Sequence, residues 1–353
     1  MQRKGFSAGQ RVILSITLRM FGWIFRVLTL AALLTSCTLV VWAQTYTIFD
    51  PAGSVGTAAA AVDSTGKIVG IYFDSSDIFH GFLRRRNGQL ISFDAPKAVV
   101  TAPIASTPAG LIAGYYRDST AYAYHGFVRH SGGRFTTFDV PSATETVVLA
   151  MNEIGQMTGF YVDAANAVHS FWRDNDGSVV IFDPPGSTAT TATGINNAGW
   201  IAGYFNDTIG VRHGFLRRSN GHFVKFDPPG SKITTVNAIN DNGRVTGSYF
   251  DASNVQHGFL RTANGSFVSF DPVSSTGTVP TAINQGGVIV GYFRTSDTEV
   301  HGFMRRSDAT IVSFDPPGST TTLAFGISAS GEIVGRETPA GGTSHGFLVK
   351  IAP

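Results

Sequence analysis

Apolar and polar residues alternate in short segments after residue 43, and turn-forming residues separate these segments. Within residues 190–227, the segments TTATGIN, WIAGYF, HGFLRR and HFVKFD are typical of four half-buried strands. In the turn NNAG, Asn196 can cap its own backbone and Gly199 can take a positive φ. The sequence PPGS then interrupts pairing, because proline cannot donate to a strand ladder. No segment after residue 43 has a convincing helical period, so the pattern predicts an all-β protein of four-stranded antiparallel units.

The four-strand pattern recurs seven times, at intervals of 44 or 45 residues. One marker is a histidine that begins the third strand, found at His80, His125, His169, His213, His257, His301 and His345. Another is an aspartate that ends the fourth strand, found at Asp50, Asp94, Asp139, Asp183, Asp227, Asp271 and Asp315. A four-stranded repeat of about this length is typical of a β-propeller blade.

The order of segments predicts a closed ring. Residues 45–50 (TYTIFD) match a fourth strand without a third, and the final HGFLVKIAP matches a third strand without a fourth. We therefore expect residues 45–353 to form a seven-bladed β-propeller in which the N-terminal strand closes the last blade and removes the exposed sheet edges. The Ala- and Gly-rich first strand should be innermost, where small side chains permit close approach. A solenoid is the alternative, but it would not need its first strand to be the missing last one.

The repeated histidine and aspartate are 14 residues apart in six units, so each pair should face across a hairpin within hydrogen-bond reach. Ring closure would pair His345 with Asp50. A catalytic dyad or a ring of metal ligands is one interpretation. A structural hydrogen bond in every blade is the stronger one, because an active site needs one constellation and nothing distinguishes one copy. We therefore predict structural His–Asp pairs, with no catalytic residue, metal or cofactor among them.

The repeat resembles the HAF-type family of bacterial extracellular repeat proteins. The matching segments are AIN..G.IVGYF and HGFLR...G.F.SFDPPG, and the likeness covers nearly the whole chain after residue 43. This chain has Gly, or Ser170 in one copy, where the family motif has Ala. The resemblance implies the repeat architecture and export, but no activity, because none is established for the family.

The first 43 residues differ from the repeats. They contain five basic and no acidic residues, and residues 27–43 (VLTLAALLTSCTLVVWA) are uncharged. A basic segment, an apolar segment and small residues before a cleavage point indicate a signal peptide ending at Ala43, with Met1 or Met20 as the start. Two alternatives remain: a lipoprotein carrying its lipid on Cys37 within LTSC, and an uncleaved membrane anchor. The prediction is a bacterial protein that is secreted or in the cell envelope.

Removal of this leader changes the charge. It takes away five of the 26 basic residues and none of the 24 acidic ones, which leaves a net charge of −3. That charge argues against nucleic-acid binding. The only cysteine lies in the leader, so the repeats hold no disulfide. We expect a monomer that meets a membrane only through residues 1–43.

Loop residues that depart from the repeat are the best candidates for ligand binding. The loop between the second and third strands of the second copy is the longest, and it adds Tyr122 and Tyr124 to the recurrent Tyr116 and Asp118. Exposed tyrosines with nearby carboxylates suit sugar or peptide recognition. In the alternative interpretation, the recurrent aromatics pack between blades and the aspartates shape turns.

We therefore predict an exported, non-enzymatic binding or scaffold module for extracellular carbohydrate or protein. The alternative is an exported propeller enzyme, a hydrolase or lyase acting on carbohydrate. Its acids would come from non-repeated loop positions, of which the candidates are Asp77, Asp118, Glu299 and Glu337.

Overall fold

The computed structural model describes residues 44–351, and all the regular secondary structure in that range consists of β-strands. No helix in this described part is long and apolar enough to cross a membrane. The predicted signal peptide, the alternative membrane anchor and the lipidation at Cys37 all fall on residues 1–43, outside the described residues.

The strands form groups of four, which we call units; six units consist of consecutive strands, and the seventh combines β26, β27 and β28 with β1. Units 1 to 4 comprise β2 (Gly56–Val62), β3 (Ile68–Phe73), β4 (Phe79–Arg84), β5 (Leu90–Phe93); β6 (Ala98–Ser106), β7 (Ile112–Asp118), β8 (Tyr124–Arg129), β9 (Phe135–Phe138); β10 (Glu145–Met151), β11 (Met157–Val162), β12 (Val168–Arg173), β13 (Val179–Phe182); β14 (Ser187–Ile195), β15 (Ile201–Asp207), β16 (Arg212–Arg217), β17 (Phe223–Phe226). Units 5 to 7 comprise β18 (Ile233–Ile239), β19 (Val245–Phe250), β20 (Gln256–Arg261), β21 (Phe267–Phe270); β22 (Gly277–Ile283), β23 (Ile289–Arg294), β24 (Val300–Arg305), β25 (Ile311–Phe314); β26 (Ser319–Ile327), β27 (Glu332–Pro339), β28 (His345–Ile351) and β1 (Gln44–Phe49).

Pairing within each unit is antiparallel, and β1 pairs with β28 from Gln44 opposite Ile351 to Phe49 opposite Gly346. The described strands lie in sheets of 12, eight, four and four strands. The larger sheets arise where a single parallel bridge joins neighbouring units, as at Phe79 and Val100. The predicted all-β class and the antiparallel four-strand pattern are confirmed.

The first strands of successive units contact one another, and β26 also contacts β2. A glycine in each second strand lets that strand approach the backbone of the first strand closely. A Cβ at Gly203 of β15 would lie 2.2 Å from the carbonyl oxygen of Thr191 in β14, so this pairing requires glycine. Strand β14 begins at Ser187, earlier than the sequence pattern indicates, because the proline-rich break ends at Gly186 and Ser187 already pairs with Asp207.

The core lies between adjacent units. Its largest fully buried side chains include one phenylalanine from the third strand of every unit: Phe82, Phe127, Phe171, Phe215, Phe259, Phe303 and Phe347. An arginine two residues further along the third strand stacks on a phenylalanine of the preceding unit, as Arg173 does on Phe138 at 4.5 Å. This contact recurs in six units and is replaced by Val349 in unit 7. These contacts join one unit to the next.

Candidate functional site

The repeated histidines and aspartates meet at one end of the strands. In all seven pairs, histidine Nδ1 lies 2.6–2.9 Å from a carboxylate oxygen of its predicted aspartate. The pair of His345 and Asp50 is 295 residues apart in sequence, and the pairing of β28 with β1 brings them to 2.7 Å. The third strand supplies the histidine and the end of the fourth strand supplies the aspartate.

A second carboxylate faces the other side of the ring in five units. His125 Nε2 lies 2.9 Å from Asp118, and His213 Nε2 lies 3.1 Å from Asp207. The separations in the other three units are wider, from 3.4 to 3.6 Å. The other oxygen of Asp207 accepts hydrogen bonds from the amides of Ile209 and Val211, which fixes the loop. Sequence reasoning missed this bond, although an aspartate recurs six or seven residues before these histidines.

Aromatic side chains of the second strands pack against the same histidines. Tyr72 stacks on His80 with a centroid separation of 4.9 Å, and Tyr116 lies 5.1 Å from His125. Two predicted ligand-binding residues, Tyr116 and Asp118, therefore both contact His125. The remaining four contacts of this kind are Tyr161 with His169, Phe205 with His213, Tyr249 with His257 and Phe293 with His301.

The aspartate that ends the fourth strand also reaches the next unit. Asp227 of unit 4 accepts a hydrogen bond from the hydroxyl of Thr234 in unit 5 at 2.6 Å, and Asp271 accepts one from Thr278 at 2.5 Å. In these units the carboxylate connects the histidine of one unit to the first strand of the next.

The carboxylates shift the titration of the site. The hydrogen bond from His169 to Asp183 raises the pKa of His169 above its ordinary value. Backbone amides, first that of Ala167, lower the pKa of Asp163, and the bond to His169 lowers it further. A raised pKa favours the protonated form of His169, and a protonated imidazole neither accepts a proton nor binds a metal ion. Within residues 44–351, no group of three or more His, Cys, Asp or Glu side chains is placed to hold a metal ion.

Tyr122 and Tyr124 lie on the longer loop of unit 2. Tyr122 is 61% exposed and has a φ of 56°, a left-handed conformation that is uncommon for a bulky residue. The Arg117 guanidinium lies 5.2 Å from its ring centroid. Tyr124 is half-buried and meets Tyr115 edge to face at 5.6 Å. Of the four predicted ligand-binding residues, only Tyr122 presents a largely exposed ring.

The acids considered for an enzyme come from four different units. Asp77 and Glu299 are exposed on loops, and Glu299 accepts a hydrogen bond from Thr295. Glu337 is only 5% exposed and pairs in register with His345, at the position that Tyr72 holds in unit 1. Burial raises the pKa of Glu337, Asp50 raises it further and His345 opposes the shift.

No family model and no curated protein matches this chain. Solved structures do. Virginiamycin B lyase from Staphylococcus aureus is 11% identical with a TM-score of 0.59, covering 88% of this chain and 99% of its own. The β-propeller domain of the Trilobed protease from Pyrococcus furiosus is 11% identical with a TM-score of 0.60, covering 84% and 95%. BP39L lectin from Burkholderia pseudomallei is 10% identical with a TM-score of 0.54, covering 85% and 97%. At these identities the likeness shows the fold alone, a β-propeller.

Proposed function

We propose that this chain is an exported, non-enzymatic β-propeller that binds extracellular carbohydrate. The observation that carries the proposal is Tyr122, an exposed aromatic ring held in a left-handed backbone conformation beside Arg117. Backbone conformations of this kind cost free energy and persist where function or the surrounding structure requires them. An exposed aromatic ring with a nearby cation suits a sugar, because the ring packs on its C–H face and the guanidinium donates to its hydroxyls.

The proposed scaffold is one ring of seven blades closed by β1. Its support is the pairing of β1 with β28, the bond from His345 to Asp50, and the contact between β26 and β2. The Trilobed protease domain is described as having an open velcro topology. In this chain the first and last strands pair, which favours a closed ring. Such a ring would act as a monomer, because β1 covers the edge of β28 that a second copy could otherwise pair with.

Export and membership of the HAF-type family remain part of the proposal. Their support is the basic and apolar composition of residues 1–43 and the repeat motif itself. The place of action would be the bacterial cell envelope or its surroundings.

Binding is favoured over catalysis because the repeated polar groups already have partners. Nδ1 of each repeated histidine lies within hydrogen-bond distance of a carboxylate. In five of these histidines Nε2 also lies within 3.6 Å of a second carboxylate. The fold itself does not decide, since similar structures include both a lectin and a lyase. The burial of Glu337 favours the enzymatic alternative, because a buried carboxyl with a raised pKa can serve as a general acid.

A glycan array probed with the chain from Gln44 onward tests the proposal, alongside an activity panel on the same polysaccharides. We expect binding without turnover. The double variant Tyr122→Ala/Tyr124→Ala should lose at least tenfold in affinity for the bound glycan. Ile209→Ala is the matched control, because Ile209 is a highly exposed residue on the corresponding loop of unit 4 and should be neutral.

Two results would decide against parts of the proposal. Turnover that disappears in Glu337→Gln would replace the binding function with the enzymatic alternative. Binding that survives the double tyrosine change would place the site elsewhere and remove the argument from Tyr122.

A further inference from the structure

A groove lies between units 1 and 2, at the end of the strands opposite the His–Asp pairs. It is formed by the turns between first and second strands and by the ends of the third strands, and its volume is about 410 Å³. Leu83 and Ile112 supply apolar walls, and hydroxyl and amide side chains such as Asn87 and Ser131 line the rest. This combination is typical of a small-molecule site.

Four cations line this groove: Lys67, Arg85, Arg86 and Arg129. Their contacts are with neutral groups. Lys67 Nζ donates to the carbonyl of Pro108 at 3.2 Å, Arg85 donates to Gln89 at 2.8 Å, and Arg86 donates to a backbone carbonyl. The Arg129 guanidinium stacks on a phenylalanine ring. Within the described residues, none of the four lies within 4.0 Å of a carboxylate oxygen.

Two carboxylates lie near the groove and do not balance its charge. Asp63 is buried and accepts hydrogen bonds from Thr65 and, at 3.4 Å, from Ser106. Glu332 of unit 7 accepts a hydrogen bond from Ser330, and its carboxylate would lie 3.4 Å from a Cβ at Gly66, to which the Arg86 guanidinium would be 3.3 Å away. Four cations against two carboxylates leave an excess of positive charge beside a cavity.

The corresponding groove between units 3 and 4 shows which charges belong to the repeat. Its volume is about 250 Å³, and Arg217 lines it where Arg129 lines the first groove. The other cations are absent there: Gln156 occupies the position of Lys67, and Asp174 and Asn175 occupy those of Arg85 and Arg86. The fold therefore forms this groove without the three extra cations, so their presence between units 1 and 2 needs another explanation.

We propose that the groove between units 1 and 2 binds an acidic saccharide, with Lys67, Arg86 and Arg129 holding its carboxylate or sulfate. Charge-assisted hydrogen bonds from these donors fix the anion, and guanidinium groups match a planar carboxylate. The apolar walls accept the C–H face of a sugar ring, while the hydroxyl and amide side chains meet its hydroxyls. This inference rests on the proposed carbohydrate-binding function and names both a second site and the ligand class.

Isothermal titration of the chain from Gln44 onward with trigalacturonate, a hyaluronan tetrasaccharide and a heparin disaccharide tests the inference. We expect at least one to bind, more weakly at higher salt, and its carboxyl-esterified or desulfated counterpart to bind at least tenfold more weakly. The variant Lys67→Gln/Arg86→Asn installs the residues of unit 3. It should lose at least tenfold in affinity while its melting temperature stays unchanged.

Lys232→Gln is the matched control, because Lys232 is an exposed lysine of unit 5 that also donates to a backbone carbonyl. It should bind like the parent chain. Failure of all three acidic probes to bind, or equal affinity of the double variant, would overturn the inference. Hexaglutamate that binds as tightly as the best saccharide would overturn the ligand class. A neutral glycan that binds and is lost with Tyr122→Ala/Tyr124→Ala, while no acidic probe binds, would leave the proposed function standing and this inference refuted.

Discussion

Asp227 accepts hydrogen bonds from two units, from His213 at 2.7 Å and from Thr234 at 2.6 Å. The Asp227 side chain is 29% exposed, so water would not replace much of the hydrogen bonding if this carboxylate were removed. We expect Asp227→Ala to lower the free energy of unfolding by about 1–3 kcal/mol, the usual cost of leaving buried partners unpaired. Denaturant titration measures this change.

Asp94 is the control for this prediction. It bonds to His80 at 2.9 Å, but its side chain is 44% exposed, and Thr101 donates no bond to it and instead accepts one from the amide of Ala95. Asp94→Ala should therefore cost less than half as much as Asp227→Ala. Equal losses in the two variants would mean that the bond to the next unit contributes nothing.

Histidine protonation gives the stability a pH dependence. The pKa of His169 is raised, so the folded protein binds its proton more tightly; the stability gained is complete below pH 6.5 and is lost as pH rises through the folded pKa. The pKa of Asp163 is lowered, so its contribution is complete above pH 3.8 and is lost as pH falls through the folded pKa. The same directions hold for His80, His125 and His257 and for Asp74, Asp118, Asp207 and Asp251.

We therefore expect the melting temperature to be highest between about pH 4 and pH 6.5 and to fall toward pH 8, following the ordinary pKa values of the two groups. Thermal denaturation followed by circular dichroism across this range measures it. A melting temperature that rises steadily from pH 5 to pH 8 would contradict the assignment of the histidines as groups with raised pKa values.

Residue spacing predicted one side of the site and not the other. The separation of 14 residues placed His213 opposite Asp227, because a hairpin fixes which residues face each other. The contact of Asp207 with the same ring depends on how a variable loop folds back, and strand periodicity does not determine that. The contact of Tyr116 with His125 could not be predicted either, since alternation gives the face of a strand and not the neighbour on that face.

Asparagines in the turns after the first strands connect neighbouring units. The side-chain amide of Asn240 donates to the carbonyl of Asn284 at 3.0 Å, and its oxygen accepts the amide of Arg244. The same donor connects Asn152 to Asn196, Asn196 to Asn240 and Asn284 to Ser328. This series of bonds runs from unit 3 to unit 7, and Asp63 and Thr107 occupy the equivalent positions in units 1 and 2.

Asn240→Asp removes the donor, keeps the acceptor and nearly preserves the shape. Because Asn240 is buried, the carbonyl of Asn284 would face a carboxylate oxygen, and we expect a loss of about 1–3 kcal/mol at neutral pH. Asn264→Asp is the control, since Asn264 is an exposed turn residue that only accepts hydrogen bonds through its side-chain oxygen. If the two variants had the same melting temperature, the asparagine hydrogen bonds between units would not contribute to stability.

Strand positions followed from the sequence more closely than contacts between units did. The turn at Asn196 and Gly199 formed as predicted, with Asn196 accepting the amides of Ala198 and Trp200 and Gly199 at a φ of 71°. The stacking of Arg173 on Phe138 was missed, although that arginine recurs in six copies. Local turn chemistry is written in a few adjacent residues, whereas a contact between units depends on the twist and spacing of two sheets.

At the scale of the whole molecule, repetition predicted the propeller fold because a unit that cannot bury both faces alone must pack on its neighbours. Repetition alone does not determine the number of blades or the closure of the ring, since both depend on whether the two ends of the chain meet. Removal of residues 44–50 deletes β1, exposes the edge of β28 and leaves His345 without Asp50.

A circular permutant supplies the control for this deletion. It starts at Pro51 and carries residues 44–50 after Ile351, joined by Asn-Gly, because Gln44 and Ile351 are directly opposite and a two-residue turn of this sequence suits a hairpin. In a closed ring, the deletion should lower the melting temperature markedly and the permutant should restore it, since β1 then occupies the same place from the other end of the chain. A deletion variant with the same melting temperature as the parent chain would refute closure by β1. A permutant as unstable as the deletion would show that β1 contributes through something other than its pairing with β28.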